Sequence, residues 1–379
     1  MSKTISAFAL FIVLFCSCSP TRQNQKTAAI PHLKFLNEYI IPFNYQFQNT
    51  TVGGLSGIDY DPKKNEYYFI SDDRSDKNPA RFYTANILIN NNKIDSAVFR
   101  NTIFLKDQSG NFYPNSRQDP FHTPDPEALR LDPKTQTFIW SSEGERIVNT
   151  QKTILENPAV TEAGSNGNFI DTFNLPSQVK MSAKEYGPRQ NGVFEGLTFT
   201  DEYNSLLVSV EEPLLQDGPA AGTGDSSGIC RIIKFNMATK KAVAEYAYKI
   251  DPVAHPPLRP GGFKINGIPD ILSFGNNQLL VLERSFSTGN LSCTIKVYLA
   301  DISKAENILN ANSLKDKTGI KIIPKKLLLN MDDLGIYIDN IEGVTFGPTL
   351  PDGKKSLLFI ADNNFNPLEK TQLLLFEIE

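Results

Sequence analysis

Five stretches of the chain share one pattern of apolar and polar positions: LSGIDYDPKKNEYYFISDD from Leu55, PEALRLDPKTQTFIWSSE from Pro126, FEGLTFTDEYNSLLVSVEE from Phe194, IPDILSFGNNQLLVLERS from Ile268 and IEGVTFGPTLPDGKKSLLFIADN from Ile341. Each opens with a short alternating run, turns through Asp, Asn, Pro or Gly, and enters a second run rich in β-branched and aromatic residues. That order predicts a β-hairpin. The starts advance by roughly 70 residues, and weaker candidate strands lie between them at 81–89, 147–155, 230–235, 244–250 and 294–299. Four strands per repeat make a blade that is buried only when its neighbours cover it, so the pattern predicts an all-β chain folded as a single β-propeller of about five four-stranded blades. The last repeat, ending TQLLLFEIE, needs an outer strand, which residues 37–49 can supply from the other end of the chain. A sixth blade requires a degenerate repeat within 300–327, and an array of β-sandwiches is the other arrangement the strands allow. Long loops at 106–125, 177–193, 213–228 and 251–267, rich in Gly, Pro, Asn and Ser, are expected to wall a mouth.

Composition agrees with this reading. With 40% apolar residues and 24 each of Gly and Pro among 379, the chain is too apolar for disorder and too rich in turn formers for a helical bundle. Its 38 basic and 42 acidic residues give a net charge of −4, which argues against nonspecific nucleic-acid binding. The N-terminus MSKTISAFALFIVLFCSCSP has Lys3, an apolar run over 5–15 and small residues around Cys16–Ser19. It predicts a signal peptide over 1–17, too short to span a membrane comfortably. The FCSC ending resembles a bacterial lipoprotein signal with Cys18 acylated, so 18–33 becomes a lipidated polar linker and 34–379 the propeller domain. The expected location is the cell envelope, on the outer membrane or in the periplasm, with the membrane touched only through the lipid. Cys230 and Cys293 then remain in the body and read as two buried free thiols rather than a disulfide.

The placement of charge is more informative than its sum. In an antiparallel hairpin the start of the first strand and the end of the second share an edge. The repeats put there Ser56 with Asp72, Asp73 and Arg74; Glu127 with Glu143; Glu195 with Glu211 and Glu212; Asp270 with Glu283 and Arg284; and Glu342 with Asp362 and Asn363. In a shared register Glu127, Glu195, Asp270 and Glu342 converge on the axis, with Asp73 beside them. Carboxylates so crowded need a cation or Arg, and Ca²⁺ takes six to eight oxygen ligands, whereas His32, His122 and His255 show no zinc or iron spacing. Arg74 and Arg284 can neutralise the ring or hold a phosphate through a planar fork, and Arg189 is a third candidate. His122, in FHTPDPEAL, is placed to protonate a leaving oxygen. The competing reading is structural, with the acids fixing blade register through backbone groups and Arg. Neither a GxSxG elbow nor a GxxxxGK[ST] loop is present.

The motifs GGLSGIDY, FISDDR, DPEALRL, NGVFEGLTF, LLVLERS and NIEGVTF, with LFIADNN, resemble the bacterial family described as having esterase-like activity of phytase, over 53–379. The resemblance implies a secreted or periplasmic propeller that hydrolyses phosphate or other esters, with calcium as in propeller phytases. It places function on Glu127, Glu195 and Glu342, with Asp72, Asp73, Arg74 and Arg284 closing the same region, while Asp270 stands where the other repeats carry Glu. The expectation is a monomeric, exported hydrolase of a small-molecule ester or phosphoester, probed against a noncatalytic envelope propeller that binds a carbohydrate, peptide or protein partner.

Overall fold

In each blade the second strand is apolar on both sides. SLLVSV of Ser205–Val210 is buried throughout, with Leu206 and Val208 in the cluster shared with the preceding blade and Leu207 in the cluster shared with the following one. A strand with two apolar faces must be covered twice, which a ring of blades does for every member. The computed structural model describes residues 30–315 and 317–379, so the expected signal peptide over 1–17 and the expected acylation site Cys18 lie outside the described residues.

Five antiparallel sheets build the ring. From the axis outward, blade 1 comprises Leu55–Asp61, Glu66–Ser71, Arg81–Asn90 and Lys93–Phe104; blade 2, Pro126–Asp132, Thr137–Ser142, Ala159–Gly164 and Phe169–Thr172. Blade 3 comprises Phe194–Thr200, Ser205–Val210, Ile229–Asn236 and Lys241–Lys249; blade 4, Ile271–Gly275, Gln278–Ser287, Thr294–Asp301 and Lys325–Asn330, with Lys264–Gly267 added beside its second strand. Blade 5 takes Asn340–Phe346, Lys355–Asp362 and Thr371–Ile378 from the end of the chain and its outer strand, Leu33–Ile41, from the beginning. That strand pairs from Leu33 opposite Ile378 to Ile41 opposite Thr371, with a bulge at Phe35/Asn37, so the expected closure is present and starts a few residues earlier than the sequence suggests. Among the described residues the only helical segments are four 3-10 turns, and none is long and apolar enough to cross a membrane.

Two local expectations need correction. Residues 147–155 do not form an outer strand of blade 2. They belong to a separate hairpin, Glu145–Val148 with Thr153–Glu156, inserted between that blade's second and third strands. The chain leaves the sheet through Gly144 at φ 76°, where a Cβ would meet the Glu156 carbonyl oxygen at 2.4 Å. The segment after blade 4's third strand holds no sixth blade. Its Ile308 and Ile323 amides donate to the carbonyls of Glu245 and Ala247, and Ile308, Ala311 and Leu314 pack on Ala247, so it covers the exposed edge of blade 3. Cys230 and Cys293 are free and buried, as expected.

The innermost strands crowd the axis. Opposite Phe69, Trp140, Val208, Val281 and Phe359 stand Ile58, Leu129, Leu197, Ile271 and Val344, one per blade. The residue before each is Gly57, Ala128, Gly196 and Gly343 in four blades, and a Cβ on Gly196 would lie 2.4 Å from Asp270 Cα. In blade 4 that position is Asp270. The sequence reading set Asp270 level with the glutamates, but the strand register moves it one residue deeper. Its carboxylate is fully buried, accepts from Arg130 Nη2 at 3.0 and 2.8 Å, and accepts the amides of Ile271 and Val344 at 2.8 Å. Arg130 Nη1 also donates to the Ile58 carbonyl at 2.5 Å, so one ion pair ties together residues of blades 1, 2, 4 and 5. Removing one partner of such a buried pair leaves the other uncompensated. Asp270→Asn should therefore lower unfolding stability by about 3 kcal/mol or more in a urea titration; a change below about 0.5 kcal/mol would show that the pair does not carry the axis.

Candidate functional site

The axial mouth is lined by two layers of side chains. Glu127, Glu195 and Glu342 sit in the register shifts between Pro126/Leu129, Phe194/Leu197 and Ile341/Gly343, bulges that turn a side chain out of the regular alternation. Three residues beyond the strand partners named above stand Asp72, Glu143, Glu211 and Asp362, at or just past the ends of their second strands, and Arg284 within the longer second strand of blade 4. Asp125, from the loop entering blade 2, adds another carboxylate, its amide held by Ser142 Oγ at 3.0 Å.

Two sets of three carboxylates bring oxygens within 4.8 Å of one another: Asp72, Asp125 and Glu127, and Glu127, Glu143 and Glu195. Glu127 belongs to both. The two arginines border this group. Arg284 Nη2 donates to Glu211 Oε1 at 2.7 Å, and its Nη1 donates to Asn340 Oδ1 at 2.6 Å and lies 3.2 Å from Glu342 Oε1. Arg74 Nη2 donates to Glu145 Oε2 at 2.6 Å, and its Nη1 is 3.7 Å from Asp125 Oδ2. Each guanidinium keeps a buried Nε without an acceptor, and Asp362 Oδ2 is likewise buried and unpartnered.

Burial, and then the neighbouring carboxylates, push Asp72, Glu127, Glu143, Glu195 and Asp362 well above the usual carboxylate range. Burial also raises Asp125, against the pull of Arg74, and lifts Glu342 to about 7 against the pull of Arg284. Eight acids (these seven and Glu211) meet two guanidinium groups, so most of the charge has no counter-charge among the side chains present. The donor set is oxygen throughout, with oxygens close enough to converge on one cation. These clusters can hold a hard metal ion.

Other residues singled out in the sequence lie elsewhere. Asp73 accepts the amides of Asp76 and Lys77 on Oδ1 and that of Asn78 on Oδ2, where Arg81 Nη1 also donates at 2.7 Å. It organises the turn after blade 1's second strand, and its neighbour Asp72 enters the mouth instead. His122 is exposed and pairs with Asp119 at 2.8 Å, away from the acid sets. Arg189 staples two loops by donating to the carbonyls of Pro213 and Gly218. Ser56 Oγ donates to the Glu127 carbonyl at 2.6 Å, a bond between adjacent inner strands. Asp125 is the acid that the repeat pattern does not reveal, since it precedes the blade and has no counterpart in the other copies.

No sequence among curated proteins matches this chain. Distant likenesses among solved structures include an endo-arabinase from Bacteroides thetaiotaomicron VPI-5482, 13% identical over 85% of this chain and 93% of that one, with a TM-score of 0.42. An α-L-arabinofuranosidase from Lactobacillus brevis is 11% identical over 86% and 91%, with a TM-score of 0.45. A gluconolactonase from Xanthomonas campestris is 9% identical over 92% and 94%, with a TM-score of 0.35. The family model for phytase-like proteins, described as esterase-like activity of phytase, matches residues 50–365, a span that holds the inner hairpins of all five blades and every acid of the mouth, and the chain belongs to that family.

Proposed function

We propose that the protein is an exported, calcium-assisted hydrolase of phosphoric or related esters that works on a small molecule at the axial mouth. The observation that carries this reading is the pair of three-carboxylate sets sharing Glu127, all buried but the half-buried Asp72, and short of counter-charge. Glu127 would hold the ion together with Asp72 and Asp125 or with Glu143 and Glu195. When bound, calcium neutralises these acids and supplies a Lewis acid for a phosphoryl oxygen.

The remaining chemistry belongs to the chain's own groups. Arg284 holds Glu211 by a hydrogen bond and Glu342 by ionic contact and through Asn340, which it also hydrogen-bonds, while Arg74 holds Glu145. Each arginine also carries a buried Nε–H without an acceptor, a donor that an anionic ester would satisfy. Glu195 would serve as an ion ligand, and Glu342, lifted to about 7, suits transfer of a proton to a leaving oxygen. His122 has no part in this scheme. The acylated Cys18 would tether the enzyme to the cell envelope, so Cys18→Ser should abolish incorporation of labelled palmitate and release the protein from membranes; continued membrane association without label would remove the lipoprotein reading.

In assays of phosphomonoesters, phosphodiesters and carboxylic esters, chelation should abolish turnover and added calcium restore it. Glu127→Gln should reduce kcat/KM by about 100-fold or more, on the order of 2.7 kcal/mol in the barrier, while His122→Ala keeps its calcium response. Turnover indifferent to chelator, or none with stoichiometric calcium, would sink the proposal.

A thermal measurement tests the ion apart from catalysis. Carboxylates raised in the folded state hold protons that the unfolded chain has already released, so metal-free stability falls as pH rises from the ordinary carboxylate range past about 7, where Glu342 titrates. Chelated protein should therefore melt lower at pH 8 than at pH 5. Calcium at about 100 times its dissociation constant should restore about 2.7 kcal/mol, roughly 5 °C. A chelated melting temperature that rises across this window, or one that calcium leaves unmoved at pH 8, contradicts the assignment.

A further inference from the structure

The end of the hairpin inserted in blade 2 borders a feature that the axial site does not use. Beside it lies a cavity of about 640 Å³ whose walls include Tyr113, Asp119, His122, Trp140, Glu156 and Phe169. Trp140 comes from the blade's second strand and is 2% exposed, yet its Nε1 has no hydrogen-bond partner. Glu156 comes from the end of the hairpin, paired across from Glu145, and its Oε2 is also buried without a partner. Buried indole and carboxyl groups ordinarily find partners, and two orphans in one cavity wall need explanation. We infer that this cavity is a binding site for a small neutral sugar.

The chemistry of the walls selects that class. An indole N–H requires an acceptor, whereas a carboxyl group uses an acceptor or a donor according to its protonation, and a sugar hydroxyl offers both. Tyr113 meets Trp140 edge-on, with ring centroids 5.9 Å apart, and with Phe169 it supplies apolar surface for the C–H faces of a pyranose ring. The acids among the walls disfavour a phosphate or carboxylate ligand. An ammonium head offers no acceptor to the orphaned Trp140 N–H, and burial, which pushes Glu156 up to about 8, weakens its pull on a cation. The bay shares no lining residue with the two acid sets of the mouth.

Trp140 is the chain's single tryptophan, so its emission reports on this cavity alone. The chelated protein should be titrated with D-glucose, D-galactose and D-xylose, with inorganic phosphate and choline as comparisons. At least one sugar should shift Trp140 emission saturably, while phosphate and choline do not. Glu156→Ala should weaken that sugar by about tenfold, one lost hydrogen bond, and Glu156→Gln, which keeps a hydrogen-bonding head, should weaken it much less. If either variant fails to fold, Phe169→Ala at the cavity wall provides the same comparison. Absence of a saturable response to all three sugars, a response to choline or phosphate instead, or sugar affinity unchanged in a folded Glu156→Ala protein would overturn the inference.

Discussion

A blade apolar on both faces cannot exist alone, and every larger feature of this protein follows from covering it. The clusters that join neighbouring blades run from Tyr68, Ile70 and Phe82 against Leu129 and Phe138 around to Leu358 and Ile360 against Ile58 and Phe69. The circuit closes only because Leu33–Ile41 joins the last sheet, so the two ends of the propeller chain are tied by backbone hydrogen bonds. Burying a large apolar side chain stabilises by about 1.5–3 kcal/mol, and a missing closing strand would expose a row of them together with an unpaired edge.

Closing the ring has an electrostatic cost. Five inner strands converge on a narrow axis, and whatever stands at their ends is forced together. Deep in the channel the conflict is settled within the chain by Arg130 and Asp270, whose hydrogen bonds are shared with surrounding backbone. At the mouth it is not. There Arg284 is the sole blade position where a guanidinium replaces an acid; it engages Glu211 and Glu342, Arg74 reaches Asp125, and Glu127, Glu143 and Glu195 are left without an ion-pair partner. An arrangement that serves blade register alone would resemble the Arg130–Asp270 pair. The contrast between the two levels of one channel is the strongest argument that the mouth is built for a cation.

Much of this was readable in the chain because hairpin periodicity is local. The five repeats, the closing strand and the convergence of Glu127, Glu195 and Glu342 all follow from alternation and turn residues. What failed depended on a single residue of register. PDI looks like EGL with a shorter acid, yet pairing of Ile271 with Val281 places Asp270 where other blades carry Gly or Ala. Of the adjacent Asp72 and Asp73, strand alternation sends one to the mouth and one to Arg81, and sequence does not say which. The run 145–156 has strand-like composition, but nothing local distinguishes a blade strand from an inserted hairpin. The acid set also includes Asp125, whose role arises from a loop folding back over blade 2.

The central claim is that the carboxylates around Glu127 form a cation site. Crystals grown with calcium, measured for anomalous scattering, test it most directly. The account predicts density beside Glu127, between the two acid sets, with carboxylate oxygens at about 2.3–2.6 Å. A well-ordered mouth without such density, in which Glu127, Glu143 and Glu195 share protons with one another, would contradict it.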